Sequence, residues 1–360
     1  MQLLEVVKSL AETFDLETLK MVVEQACVRL LDCRRAQVRL GGEGASEGEP
    51  DLVVLPLRDA DDAYGVLEIW RGAALDLAKA ELLASLASIA IKRQMLLNEA
   101  RAKSRLERDM ARAGELIQSL LPGSMGLPGY ELAGLLRPAH LTGGDLYDVV
   151  EFGDGLRAFL VADATGHGVD STILVSQCRA YFRALLSEWS DPLQVVTGVN
   201  RLLCRDLHDR FVTACLVVLD LQSHELFYVS AGHGPLLRCG LELEWLPATG
   251  PPLGIDLDSG WELAGPHRVE VNDLWLLGTD GLVEWRNQAG EQFGEARLRE
   301  ALAELGSQPC ERLLAELFSR VESFAQNPQS DDATALAWRR LPMETGEGEV
   351  GVAKSSLCGS

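Results

Sequence analysis

The sequence predicts an α+β protein in which antiparallel sheets are flanked by helices, preceded by a smaller α/β unit and a long charged helix. Three observations predict it. Strand-like runs crowd residues 130–338, and many follow one another directly, while helical spacing is confined to blocks at 169–207 and 296–325. Strands joined to strands pair antiparallel, and helices that are grouped rather than interleaved cover a sheet's face. Residues 1–92 read separately as helix, strands, helix, and the stretch between the two parts is charged, free of proline, and stopped by Pro122-Gly123.

The elements follow in order. Leu3, Val6, Val7, Leu10 and Phe14 repeat at helical spacing, as do Leu19, Val22, Val23, Ala26 and Leu30. Strands are expected at Ala36–Leu40, Leu52–Leu57 and Tyr64–Trp70. The Gly/Glu/Ser-rich segment 41–50 reads as a flexible turn, since Gly42-Glu-Gly44-Ala-Ser-Glu-Gly48 does not fit a dinucleotide loop. Leu82, Leu83, Leu86, Ile89 and Ala90 form a further helix face. This order, ending in Gly65-Val-Leu-Glu-Ile-Trp70 before an apolar helix, resembles a GAF domain, which implies a sensory or dimerising module over 1–92.

A linker helix is expected over 93–121. Its residues Leu106, Met110, Ala113, Ile117 and Leu120 step by 4, 3, 4, 3, a coiled-coil seam that degrades upstream, where Glu99 and Lys103 hold the same positions. Two readings stay open: a helix packed on its own domain, or a dimer helix between sensor and effector. In 122–340, strands are expected at Tyr130–Leu136, Leu146–Phe152, Leu156–Ala162, Phe211–Leu221, Leu226–Ser230, Pro235–Cys239, His267–Val271, Leu274–Leu277 and Ala333–Trp338. Helices are expected at 169–189, 192–207, 296–305 and 309–325. The tail 341–360 is expected to be disordered.

The composition, 47% hydrophobic and 24% charged over 360 residues, is that of a globular chain with room for two cores. A net charge of −21 argues against nucleic-acid binding and against docking on anionic lipid. The eight cysteines show no CxxC and no zinc spacing and read as reduced core thiols. The N-terminus carries acid where a signal peptide would be apolar, and no run is long enough to span a bilayer. A cytoplasmic protein is expected.

The chemistry lies in acids at strand–loop junctions. Asp145 follows the glycine pair of Gly143-Gly-Asp-Leu-Tyr-Asp148. Asp163 ends the apolar run Phe159–Ala162, ahead of Gly166 and Gly168, which permit a tight turn into a helix. Asp280 follows Leu274–Gly278, and Asp331 and Asp332 precede Ala333–Trp338. Carboxylates crowded together repel and hold protons unless a cation intervenes. Oxygen-only ligation favours hard ions, Mg²⁺ or Mn²⁺. Two such ions ~4 Å apart lower the pKa of a shared water and polarise a phosphoryl oxygen. Direct attack by such a water requires no nucleophilic Cys or Ser.

The motifs Gly-Gly-Asp-Leu-Tyr-Asp, Asp-Ala-Thr-Gly-His-Gly, Ala231-Gly-His-Gly-Pro235, Thr-Asp-Gly-Leu-Val-Glu284 and Ser-Asp-Asp-Ala-Thr, in that order, resemble the PPM-type metal-dependent serine/threonine phosphatases of the bacterial sporulation and stress-response branch. The resemblance implies the PPM fold, an antiparallel β-sandwich flanked by helices. It implies two Mn²⁺ or Mg²⁺ ions bound by Asp145, Asp163, the Ala164 carbonyl, Asp280 and Asp331, with Asp163 bridging. Asp148, His167 and Asp332 fall to supporting roles, Asp148 orienting its loop, although the order of Asp331 and Asp332 is open. His233 reads as a packed residue anchoring a hairpin. The implied substrate is a phosphorylated STAS-type anti-sigma-factor antagonist, and a homodimer through the N-terminal domain and linker helix is expected. Rival readings are a non-catalytic partner-binding scaffold and a nucleotide cyclase, the latter from Gly143-Gly-Asp-Leu-Tyr, where Leu146 replaces the acid a cyclase needs.

Overall fold

The computed structural model describes residues 2–342, except 14, 42–48, 60–61, 124–125, 167, 190, 208, 241–242 and 330. The Gly42–Gly48 turn, His167 and the tail beyond 342 therefore lie outside the described residues. The chain divides into two units, residues 1–108 and 109–360.

The first unit runs α1 (Gln2–Glu12), α2 (Leu16–Leu30), β1 (Cys33–Leu40), β2 (Leu52–Arg58), β3 (Ala63–Arg71) and the start of α3 (Leu77–Leu120). Asp15 caps α2, its side chain accepting from Thr18 N at 2.8 Å. The antiparallel sheet has the order β1-β3-β2, and central Leu67 and Ile69 are fully buried in a core with Leu19 and Cys27 of α2 and Leu83, Ala87 and Ile91 of α3. The boundary expected at 92/93 falls inside α3. No glycine or proline interrupts 77–113, so the apolar face at 82–90 and the charged stretch beyond it form one helix. From Met95 to Asp109 every residue of α3 is exposed.

The second unit contains β4 (Tyr130–Arg137), β5 (Asp145–Phe152), β6 (Leu156–Ala164), α4 (Val169–Glu188), α5 (Pro192–Asp206), β7 (Val212–Asp220), β8 (Glu225–Ala231), β9 (Leu236–Cys239), β10 (Leu243–Leu246), β11 (Ala264–Arg268), β12 (Leu274–Gly278), α6 (Gly281–Glu284), α7 (Gly294–Leu305), α8 (Cys310–Ala325) and β13 (Ala333–Arg340). Two antiparallel five-stranded sheets form, in the orders β10-β9-β12-β13-β4 and β11-β8-β7-β6-β5. Alternation splits each strand between layers. Phe159, Val161, Cys215, Val217, Trp275, Leu277, Leu336 and Trp338 fill the space between the sheets. Leu160, Ala162, Leu216 and Val218 face α4 and α5, while Leu276, Ala335 and Ala337 face α7 and α8. Phe159, Trp338 and Trp275 stack in a row at 4.7 and 6.1 Å between ring centroids. Free thiols at Cys178, Cys215 and Cys310 are buried here. No helix among the described residues is long and apolar enough to cross a membrane.

Three elements differ from expectation. β11 starts at Ala264 rather than His267, because Ala264 pairs with Tyr228 and His267 with Leu226 around a bulge, and the chain turns away at Asn272, where φ is 70°. β10 is a four-residue edge strand paired only with β9, too short to show a period. The single-turn α6 follows Asp280, where the sequence shows a turn signal alone.

Candidate active site

The strands deliver the acids to one end of the sandwich. Asp145 opens β5 and Asp163 lies near the end of β6, and the antiparallel register sets them directly opposite one another. Thr213 of β7 is the next partner across. Asp280 follows β12, and Asp331 and Asp332 precede β13, which pairs with β12. Residues more than a hundred positions apart, from both sheets, thus share one end of the sandwich.

Asp145 is 2% exposed. Its Oδ2 accepts from Thr279 Oγ1 at 2.8 Å and from Thr334 Oγ1 at 2.7 Å, and the Thr334 amide donates back to Thr279 Oγ1 at 3.0 Å. These two threonines carry roles that sequence reasoning missed. Their signal was proximity, since Thr279 adjoins Asp280 and Thr334 lies two residues after Asp332. Burial first, then Asp163, holds the Asp145 carboxyl well above the ordinary carboxylate range. Burial, then Asp280, Asp331 and Asp332, pushes Asp163 up to about 7. Asp280 is raised by burial, then by Asp331 and Glu284, and Asp331 is raised chiefly by burial. Glu284 is therefore a further acid within electrostatic reach, and it lines a cavity of about 140 Å³ with Gly281, Trp285, Arg286 and Asp331.

Asp331 and Asp332 are used differently. Asp332 spends both oxygens on the 139–144 loop: Oδ1 accepts from Ala139 N at 2.7 Å and Oδ2 from Gly144 N at 2.6 Å. Asp331 is exposed, and its Oδ1 accepts the Asp332 amide at 2.8 Å. Gly144 must be glycine, because a Cβ there would lie 2.7 Å from the Ala164 carbonyl oxygen. The Ala164 amide in turn donates to Gly144 O at 3.0 Å. The first turn of α4 closes over this loop through Thr172 Oγ1, which donates to Gly143 O at 2.8 Å.

Asp148 is a correction. It does not orient its own loop. Three residues beyond Asp145 on a strand of period two, it points to the opposite face of β5. There it is fully buried against α4, accepting from Arg183 Nε at 2.6 Å and Nη2 at 2.8 Å, with Arg179 Nε at 2.9 Å. His233 is 6% exposed between β8 and β9, its Nδ1 2.8 Å from Thr213 Oγ1, and burial pushes its pKa down to about 4. It is neutral and packed. The supporting role expected for His167 falls outside the described residues.

Among the described residues, no three His, Cys, Asp or Glu side chains close on one point as an ion cage. The donor chemistry still fits hard divalent ions. The side chains are carboxylates, and the protons that mutual repulsion and burial impose on Asp145 and Asp163 are those a cation replaces. This has a measurable consequence. Without divalent cation the folded chain keeps a proton on the Asp145–Asp163 pair that the unfolded chain sheds near pH 3.8, so the site's contribution to stability falls as pH rises towards about 7. The loss is on the order of a few kcal/mol before solvent screening is discounted. In chelator, Asp163→Asn therefore loses less stability between pH 5 and pH 8 than the parent chain, as read by thermal melts. Parallel pH profiles for the two would contradict the shift.

Comparison with known proteins places the geometry. The family described as Stage II sporulation protein E (SpoIIE) matches residues 153–341. The chain is 24% identical over 207 residues to the phosphoserine phosphatase RsbU of Bacillus subtilis, covering 56% of this chain and 61% of that one. The SiaA-PP2C domain of Pseudomonas aeruginosa superposes with a TM-score of 0.61 at 23% identity, covering 67% of this chain and 99% of that domain. The RsbU and RsbW domains of a Mycobacterium tuberculosis protein superpose with a TM-score of 0.54 at 27% identity, covering 61% of this chain and 63% of that one. The chain spans less than two thirds of the length of the curated relatives it matches.

Proposed function

The chain belongs to the SpoIIE family, in the sporulation and stress-response branch of the PPM phosphatases, and on that premise we propose that it hydrolyses phosphoserine or phosphothreonine on a regulatory protein, a STAS-type anti-sigma-factor antagonist. The observation that carries the reading is the facing pair Asp145 and Asp163, both raised in pKa first by burial, then Asp145 by Asp163 and Asp163 by Asp280 and Asp331. Similarity to the phosphoserine phosphatase RsbU supports the substrate class.

Asp145, Asp163, the Ala164 carbonyl, Asp280 and Asp331 would hold two Mn²⁺ or Mg²⁺ ions, whose chemistry is to lower the pKa of a water and polarise a phosphoryl oxygen. The protein's own part is placement. Thr279 and Thr334 fix the Asp145 carboxylate, and Asp332 pins the loop that carries it. The test is phosphate release from a serine-phosphorylated STAS-domain protein. Release is expected with Mn²⁺ and lost in chelator, and a chain inert under both conditions would end the proposal.

Control by the N-terminal unit is part of the proposal, with α3 as the carrier. The exposed stretch 95–109 of α3 is helix without cover, and helical stability in proteins comes mostly from packing of a face, so a second copy is its expected partner. Sedimentation at a monomer mass would remove that element. Further along, Met110, Ala113 and Ile117 are half-buried, and Gly114 abuts the loop of the site: a Cβ there would overlap the Leu141 carbonyl oxygen. Arg179 Nη2 also donates to Leu120 O at 2.8 Å. Gly114→Ala must therefore displace either the helix or the loop two residues ahead of Gly143. Misplacing catalytic groups by ~1 Å costs up to about a hundredfold. A loss of about tenfold in kcat/KM is expected at saturating Mn²⁺, and unchanged kinetics would show that this contact carries no signal.

A further inference from the structure

Besides Glu284 and Arg286, exposed apolar residues stand on segments joined to the loop of the carboxylates, and no role has yet been given to them. Leu141 is 49% exposed, Val169 37%, Ile173 60% and Ile255 56%. They lie on connected segments. The loop of Leu141 and the first turn of α4, which carries Val169 and Ile173, are joined by the Thr172–Gly143 hydrogen bond. On the other side of that turn, Asp170 pairs with Arg210 at 2.7 Å, and a Cβ on Gly254, the neighbour of Ile255, would sit 3.5 Å from the Arg210 carbonyl oxygen.

We propose that this rim is the docking surface for the phosphorylated protein substrate, and that it fits a folded partner with apolar side chains flanking its phosphorylated residue. The inference rests on the phosphatase reading and deepens it. A partner that delivers a phosphate to Asp145 and Asp163 must overlie whatever borders them. Outside Arg286 and the divalent ions the acids would hold, charge on the chain offers an anionic phosphoprotein little attraction. The chain carries −21, the site is a cluster of acids, and Arg210 at the rim is already paired with Asp170. Apolar burial is the further source of affinity open to a protein partner, and isolated exposed leucines and isoleucines become a binding surface when they gather round a functional site. A small phosphate ester is too small to cover side chains on both sides of the α4 turn, so the rim discriminates in favour of proteins.

The test uses the full chain with Mn²⁺ and two probes, p-nitrophenyl phosphate and a serine-phosphorylated STAS-domain protein. Ile173→Asp and Ile255→Asp are expected to lower kcat/KM on the phosphoprotein by about tenfold or more, relative to kcat/KM on the small ester in the same preparation, chiefly through KM. Val271→Asp alters a residue 44% exposed just before β12, at the other end of that strand from Asp280, and is expected to keep the parent ratio. A ratio within twofold of the parent in both isoleucine variants overturns the docking surface and leaves the phosphatase reading standing. A parent chain that turns over neither probe overturns both.

Discussion

Asp163→Asn is expected to lower Mn²⁺-dependent phosphate release from a phosphoserine protein by on the order of 10³-fold, with the fold intact. Asp163 is the acid that feels Asp280, Asp331 and Asp332 at once and sits opposite Asp145 in the sheet. It is thus the position best placed to be shared between two cations. Asparagine keeps the shape and removes the charge. Electrostatic groups of this kind contribute about 10²–10³ each to turnover, and a shared ligand contributes to two sites. Destabilisation cannot account for the loss, because removing one of several mutually repelling carboxylates relieves the cation-free fold at neutral pH. Asp280→Asn is expected to fall in the same direction. Turnover within tenfold of the parent in both variants would contradict the assignment of the site.

Asp148→Ala is expected to destabilise the second unit by about 3–5 kcal/mol, read by denaturant unfolding. Its carboxylate is fully buried beneath α4 and serves two guanidiniums. Arg183 is 45% exposed and can turn to water, but Arg179 is only 13% exposed, so its charge would be left without a counter-ion. Breaking one partner of a buried pair costs far more than replacing both. Asp148→Leu combined with Arg179→Met should therefore recover most of the loss. A single-variant cost below about 1 kcal/mol would show that the pair is not what holds α4 on the sheet.

The site was partly legible because its signals are local. Glycines beside Asp145 and Asp163, and buried runs ahead of Asp163 and Asp280, mark strand ends whichever strand lies next door. The face of Asp148 was also legible, since an odd separation from Asp145 on one strand puts the two on opposite sides, and the loop motif drew attention away from that parity. Thr279 and Thr334 have no role in the sequence alone, because nothing local says that two hydroxyls 55 residues apart meet on one oxygen of Asp145. The close approach of Gly114 to Leu141 was likewise invisible: in the sequence, Gly114 is a weak spot in a helix.

By itself, the sequence determined the two-part order, most of the strands and helices, and the acids worth watching. Periodicity and turn chemistry act over a few residues and survive without knowledge of the fold. Only the tertiary structure decided that Asp145 and Asp163 face each other, and that Asp332 holds a loop while Asp331 stands free of that task. Those facts depend on strand register and sheet packing between segments far apart in the chain, which are set by how whole faces of the sandwich bury against one another.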